Sequence, residues 1–260
     1  MNLAVHEPRR RRLRSGGFEF GVIHSPGPRG GGDFPVFVIV HGIGTSHRYS
    51  ALLHRALATS GSTYSLDLPG FGGTETPRRQ LSVADNATLL SSVLRTLMHG
   101  LRVRQCVVIG HSMGAQIATE LAVQHPELVS HLVLIGPVTD SRRCSVLAQA
   151  IDLCRDTLKE PVAANLLVFA DYARCGPWWY TRTLVSMLAF ATADRIVHVA
   201  APILVMRGAD DPVSRQAWCA GLVRRSRNGM LSEIAGHRHL VHYSAAGSVA
   251  GRISRFVQNS

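Results

Sequence analysis

The sequence lacks the features that mark membrane-spanning or exported proteins. No run of about 18 or more apolar residues is present to cross a bilayer. The basic residues near the start lead into Ser15, Gly16 and Gly17, whereas a secretory signal needs an apolar stretch of about 7–15 residues there. These absences predict a soluble, cytoplasmic protein.

Paired cysteines are also missing. The chain has five cysteines, an odd number with no CxxC spacing: Cys106, Cys144, Cys154, Cys175 and Cys219. This usage argues against a disulfide scaffold and against a zinc site. We expect reduced thiols, with Cys106 a core residue of a strand.

Acidic residues are scarce, 17 against 28 basic ones, which gives a formal net charge of +11. One short run holds five of the basic side chains: Arg9, Arg10, Arg11, Arg12 and Arg14. Clustered arginines can bind phosphate surfaces, but no interleaved aromatic residues or recognised nucleic-acid motif accompany them. We therefore expect residues 1–17 to form a basic, flexible tail, and we expect no nucleic-acid partner.

Strand-like and helix-like segments alternate along the remaining chain, which at 260 residues and 46% hydrophobic content predicts one globular domain. Apolar runs typical of strands cover residues 18–24, 35–40, 63–68, 106–109, 132–135 and 203–206. Helix-period stretches at 83–98 and 115–124 lie between them. This alternation predicts an α/β fold with a mostly parallel, twisted sheet and helices on both faces.

The alternation breaks over residues 139–199, where leucine, alanine and valine recur at helical spacing. We expect a helical insertion there, with the core domain formed by residues 18–138 and 200–260. The insertion contains Trp178, Trp179 and Tyr180, which either line an apolar pocket or anchor its helices to the core.

Residues 110–114 read Gly-His-Ser-Met-Gly, the GxSxG pattern, and they stand where a buried strand gives way to a helix. A serine on that sharp turn has its hydroxyl exposed at the carboxyl edge of the sheet. In a chain with 24 glycines the pattern alone is only moderately specific, and the strand and helix around it supply the context. Ser112 is the predicted nucleophile, which needs a histidine base and an acid to orient that base.

Five segments together resemble the α/β-hydrolase family: residues 41–46, 67–72, 110–114, 208–213 and 236–244. The resemblance covers nearly the whole chain after the arginine run. It implies that the acid lies three residues after the glycine of the late strand, which selects Asp211 rather than Asp210. Some members carry the acid after the preceding strand, so Asp140 is the reserve candidate.

The catalytic histidine has three candidates, His237, His239 and His242. The usual pairing of glycine and histidine would select His237. A family variant with two residues between that glycine and the base matches better, which favours His239 and leaves His237 as the second candidate. His242 is interpreted as a surface or loop residue. We expect no metal, because no accompanying carboxylate or cysteine spacing supports one.

Two backbone N–H groups are expected to form the oxyanion hole. One is the N–H of Met113, which follows the nucleophile. The resemblance assigns the other to Ile43, in a glycine-rich loop that lacks the lysine and hydroxyl residue of a phosphate loop. Asp67 occupies a turn that is structural in the family, so it is left out of the site.

These residues predict a serine hydrolase, by default a carboxylesterase, that cleaves an ester, thioester or lactone of a small hydrophobic substrate through an acyl-enzyme. The helical insertion would then be a cap over the site, and no cofactor is implied. Serine at position 112 argues against dehalogenase or epoxide hydrolase chemistry, which related families perform with a carboxylate nucleophile. Alternatives are an acyltransferase, a carbon–carbon bond hydrolase, and a non-catalytic protein that binds a small molecule.

Overall fold

An eight-stranded sheet forms the centre of the computed structural model, which describes residues 7–28, 34–139 and 162–260. The strands are β1 Arg9–Ser15, β2 Phe18–Ser25, β3 Val36–Val40, β4 Ser62–Asp67, β5 Cys106–His111, β6 Val129–Ile135, β7 Ile203–Gly208 and β8 Gly229–Ile234. Their order across the sheet is β1-β2-β4-β3-β5-β6-β7-β8. The β1–β2 and β2–β4 pairs are antiparallel, and the remaining pairs, from β4 through β3 to β8, are parallel. The predicted mostly parallel sheet is confirmed.

Helices connect the strands. In the described residues they are α1 Ala51–Leu57, α2 Val83–Leu101, α3 Met113–Gln124, α4 Val162–Cys175, α5 Pro177–Leu188, α6 Thr192–Arg195, α7 Gln216–Arg225, α8 Val241–Ser244 and α9 Ala246–Asn259. Helix α2 begins with a capping box in which the Ser82 side chain accepts from the Asp85 N–H and the Asp85 carboxylate accepts from the Ser82 N–H. Within the described ranges, no helix is both long enough and apolar enough to span a membrane.

The sheet is buried on both faces, which explains why its strands are continuous apolar runs. Val36, Val38 and Val40 of β3 pack on one side, in the cluster that includes residues of α2 and α3. Phe37 and Ile39 pack on the other side, with residues of α1 and α9. Cys106, at the start of β5, is buried as expected.

The parallel strands bring the motif-bearing loops to one edge of the sheet. Strands β3, β5, β6, β7 and β8 all point the same way, so the loops that follow them meet at their carboxyl ends. Helices α4, α5 and α6 account for the described part of the predicted insertion after residue 161. Asp140 and the rest of residues 140–161 lie outside the described residues, and the division into core and cap stays a prediction.

The arginine run forms a strand. Residues Arg9–Ser15 pair with β2 along their whole length, and Gly16 and Gly17, with φ of 53° and 83°, make the two-residue turn between the strands. Arg12 pairs with Glu19, and Leu13 packs against the core. The prediction of a flexible tail is therefore wrong for these residues, because the hairpin bonds their backbone to the sheet.

We expect deletion of residues 1–14 to destabilise the protein, because it would expose the edge of β2 and the core beneath Leu13. The melting temperature should fall by about 4 °C or more, the shift that 1–2 kcal/mol produces in a domain of this size. Deletion of residues 1–6, which leaves β1 whole, is the matched control against which the fall in melting temperature is measured. Equal melting temperatures for both truncations would show that β1 contributes nothing to stability.

Candidate active site

Ser112 occupies a sharp turn between β5 and α3. Its φ of 55° and ψ of −119° lie in a region that residues with side chains rarely adopt. The Ser112 N–H donates to the Ile135 carbonyl of the neighbouring strand at 3.0 Å, which holds the turn in place. The first turn of α3 passes very close to β3, since a Cβ at Gly114 would lie 2.2 Å from the Val40 carbonyl oxygen. Ser112 itself is 8% exposed.

Asp211 and His239 lie together at this edge. Asp211 Oδ2 is 2.8 Å from His239 Nδ1, and Asp211 Oδ1 accepts from the N–H groups of Val213 and Ser214 at 2.8 and 2.9 Å. Burial alone would raise the pKa of Asp211, but His239 and the two N–H donors bring this pKa below its ordinary value. The carboxylate is therefore ionised and can only accept. His239 Nδ1 must carry the proton, which leaves Nε2 to accept another.

The other sequence candidates have different surroundings. His237 is half-buried, and its Nδ1 lies 2.8 Å from the Ser244 hydroxyl. Asp210 is exposed, whereas Asp211 is buried. Of His237 and His239, the structure brings only His239 to Asp211. The reserve acid, Asp140, lies outside the described residues.

Gly136, which sequence reasoning missed, bounds the His239 ring. It follows β6, has a φ of 55°, and a Cβ there would lie 3.0 Å from His239 Cε1 and 3.1 Å from Nδ1. Its own N–H donates to the Met206 carbonyl at 2.8 Å, so its backbone is fixed to β7. A glycine directly after a buried strand was the available sequence signal. The end of β6 thus forms a wall beside the imidazole.

The loop after β3 passes directly beside the serine, since a Cβ at Gly42 would lie 3.1 Å from Ser112 Cβ. The Gly42 carbonyl accepts from His41 Nδ1 at 2.7 Å and from the Thr45 hydroxyl at 3.0 Å. This carbonyl and the Ile43 N–H belong to one planar trans peptide, so they point in opposite directions. The loop therefore fixes the direction of the Ile43 N–H.

Met113, the other predicted oxyanion donor, is the first residue of α3. An N–H in the first turn of a helix has no acceptor within that helix, so it is available to an external oxygen. The same helix end carries a partial positive charge. The N–H of Met113 is thus suited to an anionic partner beside Ser112.

Asp67 has a structural environment. Its two carboxylate oxygens accept from the His47 N–H and contact His47 Nδ1, both at 2.7 Å. His47 begins the short 3-10 helix His47–Ser50 that follows the glycine-rich loop. Asp67 thus holds the backbone behind that loop.

Two helices of the insertion pack on the same loop. A Cβ added at Gly44 would lie 2.5 Å from ring atoms of Tyr172 in α4 and 3.0 Å from a ring atom of Tyr180 in α5. Asp171, buried in α4, accepts from the Ser46 hydroxyl at 2.6 Å and pairs with Arg48. Helices α4 and α5 therefore contact the segment that carries Ile43.

A cluster of buried rings, also missed from the sequence, lies behind the site. Its members are Tyr49, His111 and His242, and the His242 ring lies 4.0 Å from that of His111 and 4.6 Å from that of Tyr49. His242 is therefore buried, contrary to its interpretation as a surface or loop residue, because Tyr49 and His111 cover it. Neither of its ring nitrogens has a hydrogen-bond partner among the described residues, and burial lowers its pKa to about 3.

No group of three or more His, Cys, Asp or Glu side chains in the described ranges is arranged to hold a metal ion. At the carboxyl edge of the sheet the structure brings together a serine on a strained strand-to-helix turn and a buried histidine bonded to an ionised aspartate.

Comparison with known proteins identifies chains of similar sequence and fold. A protein-family model described as the alpha/beta hydrolase fold matches residues 35–153. An uncharacterised protein of Mycobacterium tuberculosis is 33% identical over 105 residues, which are 40% of this chain and 30% of that protein. A probable 1-acylglycerol-3-phosphate O-acyltransferase of Oryza sativa subsp. japonica is 31% identical over 133 residues, 51% of this chain and 32% of the relative. These matches span about a third of each relative's length.

Among solved structures, the enol-lactonase from Burkholderia xenovorans LB400 superposes with a TM-score of 0.77 at 18% identity, over 96% of this chain and 100% of the lactonase. The chain therefore has the α/β-hydrolase fold, and the family model for that fold matches its residues 35–153.

We expect His242→Phe to weaken the acid sensitivity of the fold. Between pH 6.5 and about 3 the unfolded chain binds a proton at His242 and the folded chain does not, so stability falls as pH falls. One such proton contributes about 1.4 kcal/mol per pH unit. Urea unfolding from pH 7 to pH 4 should show a shallower decline in the free energy of unfolding, with no loss at pH 7, because phenylalanine leaves no unpaired nitrogen.

His54→Leu is the contrasting variant. Burial lowers the pKa of His54 to about 4, so its loss should also flatten the decline. Its ring nitrogens bond to the Ser65 and Ser25 hydroxyls, so His54→Leu should in addition lower stability at pH 7. An unchanged pH slope in His242→Phe would contradict the assignment of His242 as a buried neutral group.

Proposed function

We propose that the protein is a serine hydrolase that cleaves an ester-like bond of a small substrate through an acyl-enzyme on Ser112. The proposal is carried by one arrangement: a serine on a strained strand-to-helix turn, at the same sheet edge as a buried histidine paired with an ionised aspartate. Carboxylic esters, thioesters and lactones all present the carbonyl that this arrangement would attack.

In the first half of the reaction Ser112 Oγ attacks the carbonyl carbon, and its proton passes to His239 Nε2. Asp211 holds the Nδ1–H and stabilises the imidazolium that forms. His239 then gives the proton to the leaving group, and the acyl group remains on Ser112. In the second half His239 takes a proton from water, hydroxide attacks the acyl carbonyl, and Ser112 regains its proton.

Negative charge on the carbonyl oxygen would be stabilised by the N–H groups of Ile43 and Met113. The carbonyl of the Gly42–Ile43 peptide is held by His41 and Thr45, so the Ile43 N–H is oriented before substrate arrives. Donors that need no reorganisation give the largest stabilisation of a developing oxyanion. In comparable sites the loss of one such donor lowers kcat by about 10²–10³.

The aromatic side chains of the insertion support a hydrophobic substrate. Tyr172 and Tyr180 pack on the loop that carries Ile43, and the low exposure of Ser112 favours a small molecule over a polymer. In this role α4 and α5 are part of a cap over the site. The serine at position 112 disfavours a reaction that needs a carboxylate nucleophile.

Substitution of the three side chains should abolish chemistry at Ser112. Wild-type protein is treated with a fluorophosphonate probe, its intact mass is measured, and its turnover of a panel of p-nitrophenyl esters is assayed. We expect Ser112→Ala to remove labelling and to lower kcat/KM by about 10⁴-fold or more, and His239→Ala and Asp211→Asn to lower it severely. Added alcohol acceptors and product analysis distinguish hydrolysis from acyl transfer.

His237→Ala is the matched control, because His237 contacts Ser244 rather than Asp211, and it should retain labelling and kcat/KM within a few-fold. A large loss in His237→Ala with none in His239→Ala would move the base to His237. A folded wild-type protein that is neither labelled nor active, but binds small molecules, would replace the hydrolase with a binding protein.

Gly136→Ala should lower kcat/KM by about tenfold, because the added methyl group would displace the His239 ring by a few tenths of an ångström. Gly17→Ala is the control, since Gly17 also has a positive φ but nothing within 4 Å of an added Cβ. Both variants should lose about 1 kcal/mol of stability from the left-handed backbone. Equal activities of the two variants would show that Gly136 does not position the base.

A further inference from the structure

A directed chain of hydrogen bonds connects the loop after β3 with the loop that carries His239. The Gly42 N–H donates to the Tyr49 hydroxyl at 2.8 Å, and this hydroxyl lies 2.5 Å from His111 Nδ1. On its far side, His111 Nε2 lies 3.0 Å from the His239 carbonyl oxygen. All four residues are buried.

The two ends of the chain fix the position of every proton in it. A carbonyl only accepts, so His111 Nε2 carries a hydrogen and donates it to His239. Burial, followed by the neighbouring His242 and His239, holds the pKa of His111 well below its ordinary value, so the ring is neutral and Nδ1 has no hydrogen. Nδ1 must accept from the Tyr49 hydroxyl, and this hydroxyl accepts from Gly42. Every member of the chain therefore has one defined direction.

The two ends of this hydrogen-bond chain lie at the proposed oxyanion donor and at the proposed base. At one end it holds Gly42, whose carbonyl shares a peptide plane with the Ile43 N–H. At the other end it holds the backbone of His239 itself, while Asp211 fixes only the ring. A shift of one loop would therefore be passed to the other through these hydrogen bonds.

We propose that Tyr49 and His111 are positioning residues that keep the oxyanion donor Ile43 and the base His239 in register with Ser112. The proposal rests on the proposed function, and neither side chain is assigned a contact with substrate. We call the hydrogen bonds from Gly42 through Tyr49 and His111 to His239 the strut. Loss of the strut would move groups that act on the transition state, so it should lower kcat and leave KM nearly unchanged.

Tyr49→Phe is the first test, because it removes one oxygen and keeps the ring. With p-nitrophenyl esters we expect kcat to fall about 10- to 100-fold at constant KM, less than the loss of an oxyanion donor would produce. Tyr64→Phe is the matched control: Tyr64 is also buried, in β4, but its ring stacks on His24. It should leave kcat unchanged.

Two variants of His111 test the coupling. His111→Gln keeps one donor and one acceptor and should retain more activity than His111→Phe, which keeps neither. Because Tyr49 and His111 act through one chain, the double variant Tyr49→Phe/His111→Phe should be no worse than His111→Phe alone. Independent, multiplying losses in kcat would contradict a common strut.

Nuclear magnetic resonance separates failure of the strut from failure of the proposed function. In ¹⁵N-labelled protein, Tyr49→Phe should shift the amide signals of Gly42 and Ile43 and the ring signals of His239, while Tyr64→Phe should shift none of them. If the wild type is active and Tyr49→Phe changes neither kcat nor these signals, the strut is overturned. An inactive, unlabelled wild type would overturn the proposed function, and these signals would still decide whether the two loops are coupled.

Discussion

The close approach between the start of α3 and the end of β3 is the constraint on which the site depends. Gly114 lies where a Cβ would be 2.2 Å from the Val40 carbonyl oxygen, so the helix can begin directly against the strand. That contact forces the backbone at Ser112 into its strained turn and brings the loop at Gly42 alongside it. The strain is supported by a sheet that is buried on both faces, since neither strand can shift without disturbing two cores.

Buried carboxylates hold the loops that surround this contact. Asp67, Asp171 and Asp211 are all nearly inaccessible to solvent, and each accepts two or more bonds, at least one of them from a different loop or helix. A buried carboxylate without partners would be strongly destabilising, so each one specifies the position of its donors. The same arrangement therefore serves two ends: it stabilises the segments behind the site, and at Asp211 it orients a histidine.

The sequence was sufficient for the parallel sheet and for the sharp strand-to-helix turn at Ser112, because strands buried on both faces and a GxSxG turn leave strong local patterns. It was insufficient for β1, where five arginines suggested a solvated tail. Gly16 and Gly17, which stand between the segments that form β1 and β2, were the sequence signal for a hairpin, and that signal outweighs the charge. Tyr49 and Gly136 leave no comparable pattern. Their roles depend on contacts with residues 62 and 103 positions away in the chain, His111 and His239, which no window of sequence displays.

The His111 ring lies 4.9 Å from that of His239 and 4.0 Å from that of His242, and the three rings have different surroundings. His111 and His242 are fully buried, burial and the neighbouring rings lower both pKa values, and neither bonds to a carboxylate in the part of the chain that the structure describes. His239 bonds to the ionised Asp211. A positive charge is therefore stabilised on His239 and disfavoured on its neighbours. The same neutrality lets His111 accept from Tyr49, so the electrostatics that distinguish His239 from its neighbours also set the direction of the hydrogen-bond chain.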